Sequence, residues 1–418
     1  MMTYKDLIVV GGGSAGLASA ISAFDNGIKD ILILERNGEL GGILNQCIHP
    51  GFGLHHFHEE LTGPECARKY IDELDARKID YFLNTQVISI SRDKIVTFIN
   101  KDGVQSIKAK AIIFAAGCNE RTRGQISSPG YRPKGVYTAG LAQRYLNIEG
   151  RLVGKKVYIL GSGDIGLIMA RRMTLEGAQV LGVSEIMPYS NGLKRNIAQC
   201  LNDFNIPLRL SNTVTKIYGK DRLEGIEISD VDANLQPIKG TEKYIECDTL
   251  LLSVGLYPFN SLLKEAGCAV NKESKGSLVD QNLETSIEGI FSTGNVLHVH
   301  DLVDFVSEES ERAGASAAKY ILGKRGKTIN QIEVTHTQNI AYVIPSLINA
   351  RSDKEDIIFS FRVKKNIKKA QILFKSPAKT LYSSVKTNLM PAEMIKIKVK
   401  ELELNGYDKL SIEVIEND

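Results

Sequence analysis

The chain has 418 residues, 43% hydrophobic and 24% charged, enough for about two to three domains with buried cores. That balance excludes a disordered chain, a collagen-like fibre and a small disulfide scaffold. Lysine and arginine total 52 against 49 acidic residues, and a net charge of +3 points to neither nucleic acid nor a membrane surface. Six cysteines (Cys47, Cys66, Cys118, Cys200, Cys247, Cys268) stand singly with no C-x-x-C, as in a reducing compartment. No apolar run reaches the roughly 18–20 residues of a membrane span. The N-terminal apolar stretch is broken by Gly11, Gly12 and Gly13 and suits a strand and turn better than a signal peptide, so a cytoplasmic protein is expected.

In chain order, Asp6–Val10 reads as a buried parallel strand, because a short continuous apolar run suits a sheet covered on both faces. It runs into Gly11-Gly-Gly13-Ser14-Ala15-Gly16, a G-x-G-x-x-G segment, and then into helically spaced apolar residues from Leu17. A second strand, Ile31–Leu34, ends at Glu35, with Arg36 beside it. Glu35 stands about 20 residues beyond Gly16, the separation a dinucleotide fold needs to return an acid to the turn. The first glycine of such a segment permits a tight turn, the second admits a pyrophosphate, and the third lets helix and strand pack closely. The helix N-terminus supplies unpaired N–H groups to the phosphates, and the acid accepts from ribose hydroxyls.

Cys47, His49, His55, His56 and His58 then place five potential metal ligands in one short stretch. Pro50, Gly51 and Gly53 make this a loop, and the segment reads as a cofactor-proximal loop, or as plain packing and solvent exposure, rather than a metal site. Cys47 is a candidate redox nucleophile if an electropositive setting lowers its pKa. The nucleotide unit recurs at Val157–Leu160, followed by Gly161-Ser162-Gly163-Asp164-Ile165-Gly166, a helix through Arg172 and Met173, and Val180–Val183. Glu185 stands as far beyond Gly166 as Glu35 does beyond Gly16. Two complete fingerprints imply two dinucleotides, most economically FAD and a nicotinamide. Glu185 suits the free 2′-hydroxyl of NAD and repels the 2′-phosphate of NADP, although Arg171, Arg172 and Lys194 pull the other way. Beyond residue 326, the runs Ile357–Val363, Gln371–Phe374, Leu381–Val385, Ile395–Val399 and Leu410–Val414 predict a small antiparallel sandwich. Between 361 and 400, 11 lysines and arginines face one acid, Glu393. This predicts a solvated basic face, or a dock for an acidic partner, rather than a nucleic-acid surface.

Over residues 1 to about 325 the motif order resembles the two-dinucleotide flavoprotein superfamily that includes the pyridine nucleotide–disulfide oxidoreductases. Gly41-Gly42 stands where such proteins bring a loop to the flavin. Ala111–Gly117, with Ala115, Ala116 and Gly117 at its end, resembles the segment that closes the flavin domain, and Thr249–Gly255 followed by Tyr257-Pro258 resembles its nicotinamide counterpart. Gly289–Asn295 resembles the motif whose acid contacts the ribityl chain, with Gly294 retained and Asn295 in place of the acid. A helix beginning at Val306 would aim its N-terminus at the flavin. The resemblance also implies flavin contacts at Gly42, Ile43, Gln46, Val87 and Val306. No cysteine pair is spaced as a dithiol, which argues against a disulfide reductase.

Gly41–His49, Glu59–Pro64, Glu120–Arg123 and His298–Glu309 resemble a bacterial subgroup of FAD/NAD oxidoreductases associated with glycerol 3-phosphate catabolism, and also the nicotinamide-linked subunits of amino-acid and opine dehydrogenases. That implies electron transfer beside a partner dehydrogenase, in a homo-oligomer or hetero-complex. The alternatives are a self-sufficient NADH oxidase or disulfide reductase-like flavoenzyme, and a flavin-containing assembly subunit without turnover. The expected fold is α/β, with two Rossmann-like domains, one inserted in the other, and a C-terminal β module. Residues 1–123 and 257–326 would bind FAD, 124–256 would bind NAD(P), and 327–418 would form the module.

Overall fold

The computed structural model describes residues 3–351, 356–400 and 406–417. The chain forms two compact units, one from Met1–Cys118 with Pro258–Asp418 and one from Asn119–Tyr257. The inserted unit thus begins slightly earlier than residue 124, the border expected from sequence, and ends next to the expected one. Local hydrogen bonds explain the early start: Arg121 N–H donates to Gly255 O at 2.9 Å, and Gly140 N–H donates to Glu120 Oε1 at 2.7 Å, which ties residues 120 and 121 to the inserted unit.

In the first unit, Thr3–Val10 lies at the centre of a sheet, parallel to Ile31–Leu34 on one side and Gly103–Phe114 on the other. Asp80–Phe82 extends one edge in parallel, Ile290–Ser292 pairs in parallel with Gly103–Phe114, and Gln86–Ile90 with Ile95–Asn100 adds an antiparallel ribbon. The C-terminal half of Thr3–Val10 and all of Ile31–Leu34 are buried, as a sheet covered on both faces requires. Alternate residues feed two cores, because successive strand side chains point to opposite faces. Leu7, Val9, Ile31 and Ile33 meet the helices, while Ile8, Val10, Leu32 and Leu34 pack into the opposite layer. The helix Val303–Ile321 lies close against Ser14–Asp25 at Gly314, where a Cβ would come within 2.9 Å of Ser22 Cβ. The long helix starts at Val303, before the expected Val306, and puts Asp304 in its first turn.

In the inserted unit, Val136–Thr138, Thr249–Leu252, Lys156–Leu160, Gln179–Ser184 and Leu208–Arg209 form a parallel sheet in that order. Asn212–Tyr218, Gly225–Asp230 and Lys243–Glu246 add an antiparallel sheet.

The C-terminal region is a sandwich of a five-stranded and a three-stranded sheet around one apolar core that includes Phe359, Phe361 and Phe374. It is not wholly antiparallel: Thr328–His336 runs parallel to Lys409–Glu416. Five of the 11 basic residues in this run meet acids on other segments. Lys365 pairs with Glu416 at 2.6 Å, Lys375 with Glu413 at 2.7 Å and Lys398 with Asp356 at 2.9 Å, while Lys396 meets Glu308 and Arg362 meets Asp301. No helix among the described residues is long and apolar enough to cross a membrane.

Candidate active site: two dinucleotide cradles

The first cradle is built where Thr3–Val10 ends and Ser14–Asp25 begins. Gly11 has φ +104°, and a Cβ there would lie 2.6 Å from Ala115 O. A Cβ on Gly16 would overlap the Gly11 carbonyl oxygen. Gly13 differs, because the nearest atom to its virtual Cβ is Gly42 Cα at 3.9 Å, so this face of the turn is open. Packing thus closes two glycines and leaves the middle one free for a ligand. Gly13 is the N-cap and no side chain caps it, which leaves first-turn N–H groups such as those of Ser14 and Ala15 for an anion.

Glu35, 4% exposed, accepts from Gly12 N–H at 2.7 Å through Oε2 and from Asn37 N–H at 2.8 Å through Oε1. A carboxylate has about four lone-pair sites, so acceptor capacity remains for ribose hydroxyls. Ala15, Ala115 and Val306 form one apolar cluster, and a Cβ on Gly294 would meet Ala15 Cβ at 2.7 Å. Ala115, Gly294 and Val306 therefore converge on the turn from positions distant in sequence. Gly41 N–H donates to Gly12 O at 2.8 Å, which seats the 3-10 turn Gly42–Gln46 beside Gly13. In that turn Gln46 is buried and Ile43 stands 61% exposed. Ala116 and Gly117 follow Ala115, and nothing lies within 4 Å of a Cβ on Gly117.

Three expectations change in detail. The Val87 side chain is buried in the apolar layer with Ile8 and Leu34, which leaves only its backbone for a ligand. Arg36 is exposed. Asn295 Oδ1 accepts from His300 N–H at 3.0 Å, so its Nδ2 is the group left to reach a ribityl hydroxyl, as a donor rather than an acceptor.

The second cradle repeats the arrangement. A Cβ on Gly161 (φ +97°) would strike the Ser253 carbonyl, and one on Gly166 would lie 2.7 Å from Ser253 Cβ. One on Gly163 comes no closer than 3.2 Å to any atom, the Ser253 hydroxyl oxygen. Glu185, 4% exposed, accepts from Ser162 N–H at 2.9 Å, from the Ser162 hydroxyl at 2.6 Å and from Met187 N–H at 3.0 Å. Asp164 opens the helix Asp164–Leu175, followed by half-buried Ile165, and its Oδ1 accepts from Leu193 N–H at 2.8 Å. Arg172 is held by Asn147 at 2.9 Å and Glu176 at 2.5 Å. It and Arg171 stand about 10–12 Å along the helix from its N-terminus. Lys194, which opens the next helix, is the exposed cation nearer the turn. Gly255 has φ +99°.

The histidine loop does not converge. His55 stacks on Phe305 with ring centroids 5.9 Å apart, His56 Nδ1 lies 3.3 Å from Glu311, and His49 packs on Phe52. His58 takes a left-handed backbone (φ 56°). Burial pushes the Cys47 thiol up to about 12, the opposite of what a thiolate nucleophile needs. Among the described residues no disulfide joins any of the six cysteines. The cluster that does form is one the sequence did not single out as ligands: His298, His300 and Glu309. Its only signal was H-x-H with a glutamate further along the same segment.

Residues 5–319 match the family model described as pyridine nucleotide-disulphide oxidoreductase. The chain belongs to that family. FAD and NAD(P)H are the cofactors of the family, and this chain is an FAD-dependent oxidoreductase of pyridine nucleotides. Both cradles fit these groups by their uncapped helix starts and terminal acids, and the first also by its open middle glycine.

Among the relatives is hydrogen cyanide synthase subunit HcnB of Pseudomonas protegens, 26% identical over 372 residues, which cover 82% of this chain and 76% of that protein. The F subunit of alkyl hydroperoxide reductase in Staphylococcus aureus is 25% identical over 323 residues, 75% of this chain and 57% of that one. The chain therefore matches just over half the length of the latter. The solved thioredoxin reductase of T. acidophilum shares the fold with a TM-score of 0.61 at 24% identity, over 77% of this chain and 98% of that chain.

Proposed function

We propose that the chain passes hydride equivalents between NAD(H) and a partner dehydrogenase by way of FAD, and that it lacks a dithiol relay. The observation that carries the reading is the combination of two complete cradles with cysteines that burial holds as thiols. Cys47, Cys66 and Cys247 are each pushed up to about 12 and Cys200 to about 11, so none of these offers a thiolate near neutrality. Two relatives are themselves named as subunits, which suits a chain that hands electrons to another protein. The sequence resemblance makes glycerol 3-phosphate, an amino acid or an opine the substrate class of that partner.

When bound, the two dinucleotides supply hydride transfer between nicotinamide C4 and flavin N5. The residues of the chain bind and orient. The first-turn N–H groups after Gly13 and Gly163 would hold pyrophosphate, while Glu35 and Glu185 would accept from ribose hydroxyls. Glu185 makes NAD the preferred nucleotide, because a 2′-phosphate would meet a buried carboxylate. The test is an anaerobic visible titration of the purified protein with NADH and then NADPH. Bleaching of the oxidised flavin by NADH, with little oxygen consumption by the isolated chain, supports the reading. A flavin spectrum that neither nucleotide alters overturns it, and rapid oxygen turnover would favour a self-sufficient oxidase.

A further inference from the structure

The segment before the long helix, and the helix itself, bring two imidazoles onto one carboxylate. His298 Nε2 lies 2.7 Å and His300 Nε2 3.4 Å from the same atom, Glu309 Oε2. The three donors fall within 4.8 Å of one another. Their side chains are nearly closed to solvent, at 1%, 2% and 4% exposure. The other carboxylate oxygen, Oε1, accepts from Gly294 N–H at 2.9 Å and from the Thr293 hydroxyl at 3.3 Å.

Hydrogen positions decide what this array requires. Asn295 Oδ1 accepts the His300 backbone N–H at 3.0 Å, which fixes the amide with its oxygen turned to the ring, and the same oxygen lies 3.3 Å from His300 Nδ1. His300 therefore has an acceptor oxygen opposite each ring nitrogen. A neutral imidazole carries one N–H, so one of its two nitrogens must aim a lone pair at an oxygen lone pair. In a buried site that conflict is costly. A cation between Nε2 and Glu309 removes it, with Nδ1–H donating to Asn295. His298 is placed alike, because its Nδ1 lies 3.3 Å from the Tyr342 hydroxyl while its Nε2 faces the carboxylate. Each ring thus has an outer oxygen partner, the arrangement that sets the tautomer of a ligating histidine. Donors at about 2.0–2.1 Å from a tetrahedral ion stand roughly 3.3–3.4 Å apart. The His300–Glu309 edge, 3.4 Å, has that length, and the 2.7 Å His298–Glu309 edge would have to open to it.

We propose that His298 Nε2, His300 Nε2 and Glu309 Oε2 bind one divalent transition-metal ion of the zinc class, the class that two imidazoles and a carboxylate suit. The site joins the Gly294–Asn295 turn of the first cradle to the C-terminal sandwich, since Tyr342 also accepts from Arg362 Nε at 3.3 Å and Arg362 pairs with Asp301. It gives Asn295 a task that a second carboxylate would perform only by adding another buried negative charge. The ion would pin the sandwich to the first cradle without taking part in hydride transfer.

The test uses the untagged full-length protein, assayed for metal by mass spectrometry, then stripped with chelator and titrated with Co2+, whose ligand-field bands lie to the red of oxidised flavin. The expected result is one ion per chain and a cobalt spectrum that saturates at one equivalent. His300→Gln should abolish that spectrum, and Tyr342→Phe, which removes the outer partner of His298 and an acceptor of Arg362, should weaken binding about 10- to 100-fold while keeping the fold. His58→Gln, from the loop that does not converge, should bind as the parent does. Absence of metal together with no saturable cobalt spectrum overturns the proposal and assigns the extra positive charge at His300 to a proton. Saturable binding unchanged in His300→Gln overturns it equally.

Discussion

Replacing Gly13 and Gly11 separately by alanine should split folding from flavin binding. Gly13 has φ −79° and ψ −175°, values that alanine adopts freely, and its virtual Cβ meets nothing nearer than 3.9 Å. Gly13→Ala should therefore leave the apoprotein as stable as the parent or about 0.4–1 kcal/mol more stable, through a less flexible unfolded chain. The same methyl enters the space left for pyrophosphate, and overpacking of about 1–3 kcal/mol corresponds to a roughly 5- to 150-fold weaker FAD affinity. Gly11→Ala meets the opposite situation. Its φ is +104° and its Cβ would lie 2.6 Å from Ala115 O, a backbone atom that cannot swing aside as a side chain would. Left-handed strain of about 1–2 kcal/mol adds to that clash, so the apoprotein itself should lose stability. Thermal melts of the apoproteins, read with FAD titration by flavin fluorescence, give both numbers. A Gly13→Ala protein that binds FAD as tightly as the parent would refute the assignment of that open face to phosphate.

Cys47→Ser should leave the rate of flavin reduction by NADH unchanged, and alkylation of Cys47 in the native protein should rise about tenfold per pH unit toward about 12, as thiolate forms only there; fast labelling at neutral pH would contradict this. Glu185→Ala should lower the preference for NADH over NADPH by about tenfold or more, equivalent to losing one charge-assisted hydrogen bond of about 1.5–3 kcal/mol, read as the ratio of kcat/KM values. Arg351, with its side chain 6% exposed, lies 3.6 Å from Asp280 and 3.8 Å from Glu284. Because Glu284 keeps Arg325 at 2.6 Å and Asp280 keeps its N–H donors, Arg351→Met should cost about 1–3 kcal/mol. Burial pushes both carboxyls above their ordinary range. Their protonated forms thus favour the folded state, and the Tm deficit of the variant should shrink as the pH falls toward that raised range. A deficit that grows on acidification would show that the two acids are not the cause.

The parts of this protein that were legible in the sequence are those whose physics is local. A buried strand is a short apolar run, a phosphate turn is three spaced glycines, and an acid follows at the end of the next strand. Gly11 to Glu35 and Gly161 to Glu185 could therefore be read without a structure. Proximity along the chain misled where geometry had to decide. Five ligand-type residues between Cys47 and His58 do not meet, because the loop aims its rings at Phe52, Phe305 and Glu311 rather than at one another. The lysine-rich run reads as a charged face from sequence, and four of its lysines also meet Glu308, Asp356, Glu413 and Glu416, on segments that only folding brings alongside.

The sequence by itself determined two nucleotide units, their order, and a β-rich C-terminal region, because hydrophobic period and turn chemistry are written over a few consecutive residues. Tertiary structure decided which residues share a space. It brought Ala15, Ala115, Gly294 and Val306 to one turn, set one parallel strand pair in the sandwich, and closed His298, His300 and Glu309 around a common point. Those contacts link positions far apart in the chain, or turn neighbours toward a partner supplied by another element. They depend on packing between elements, which no local pattern encodes.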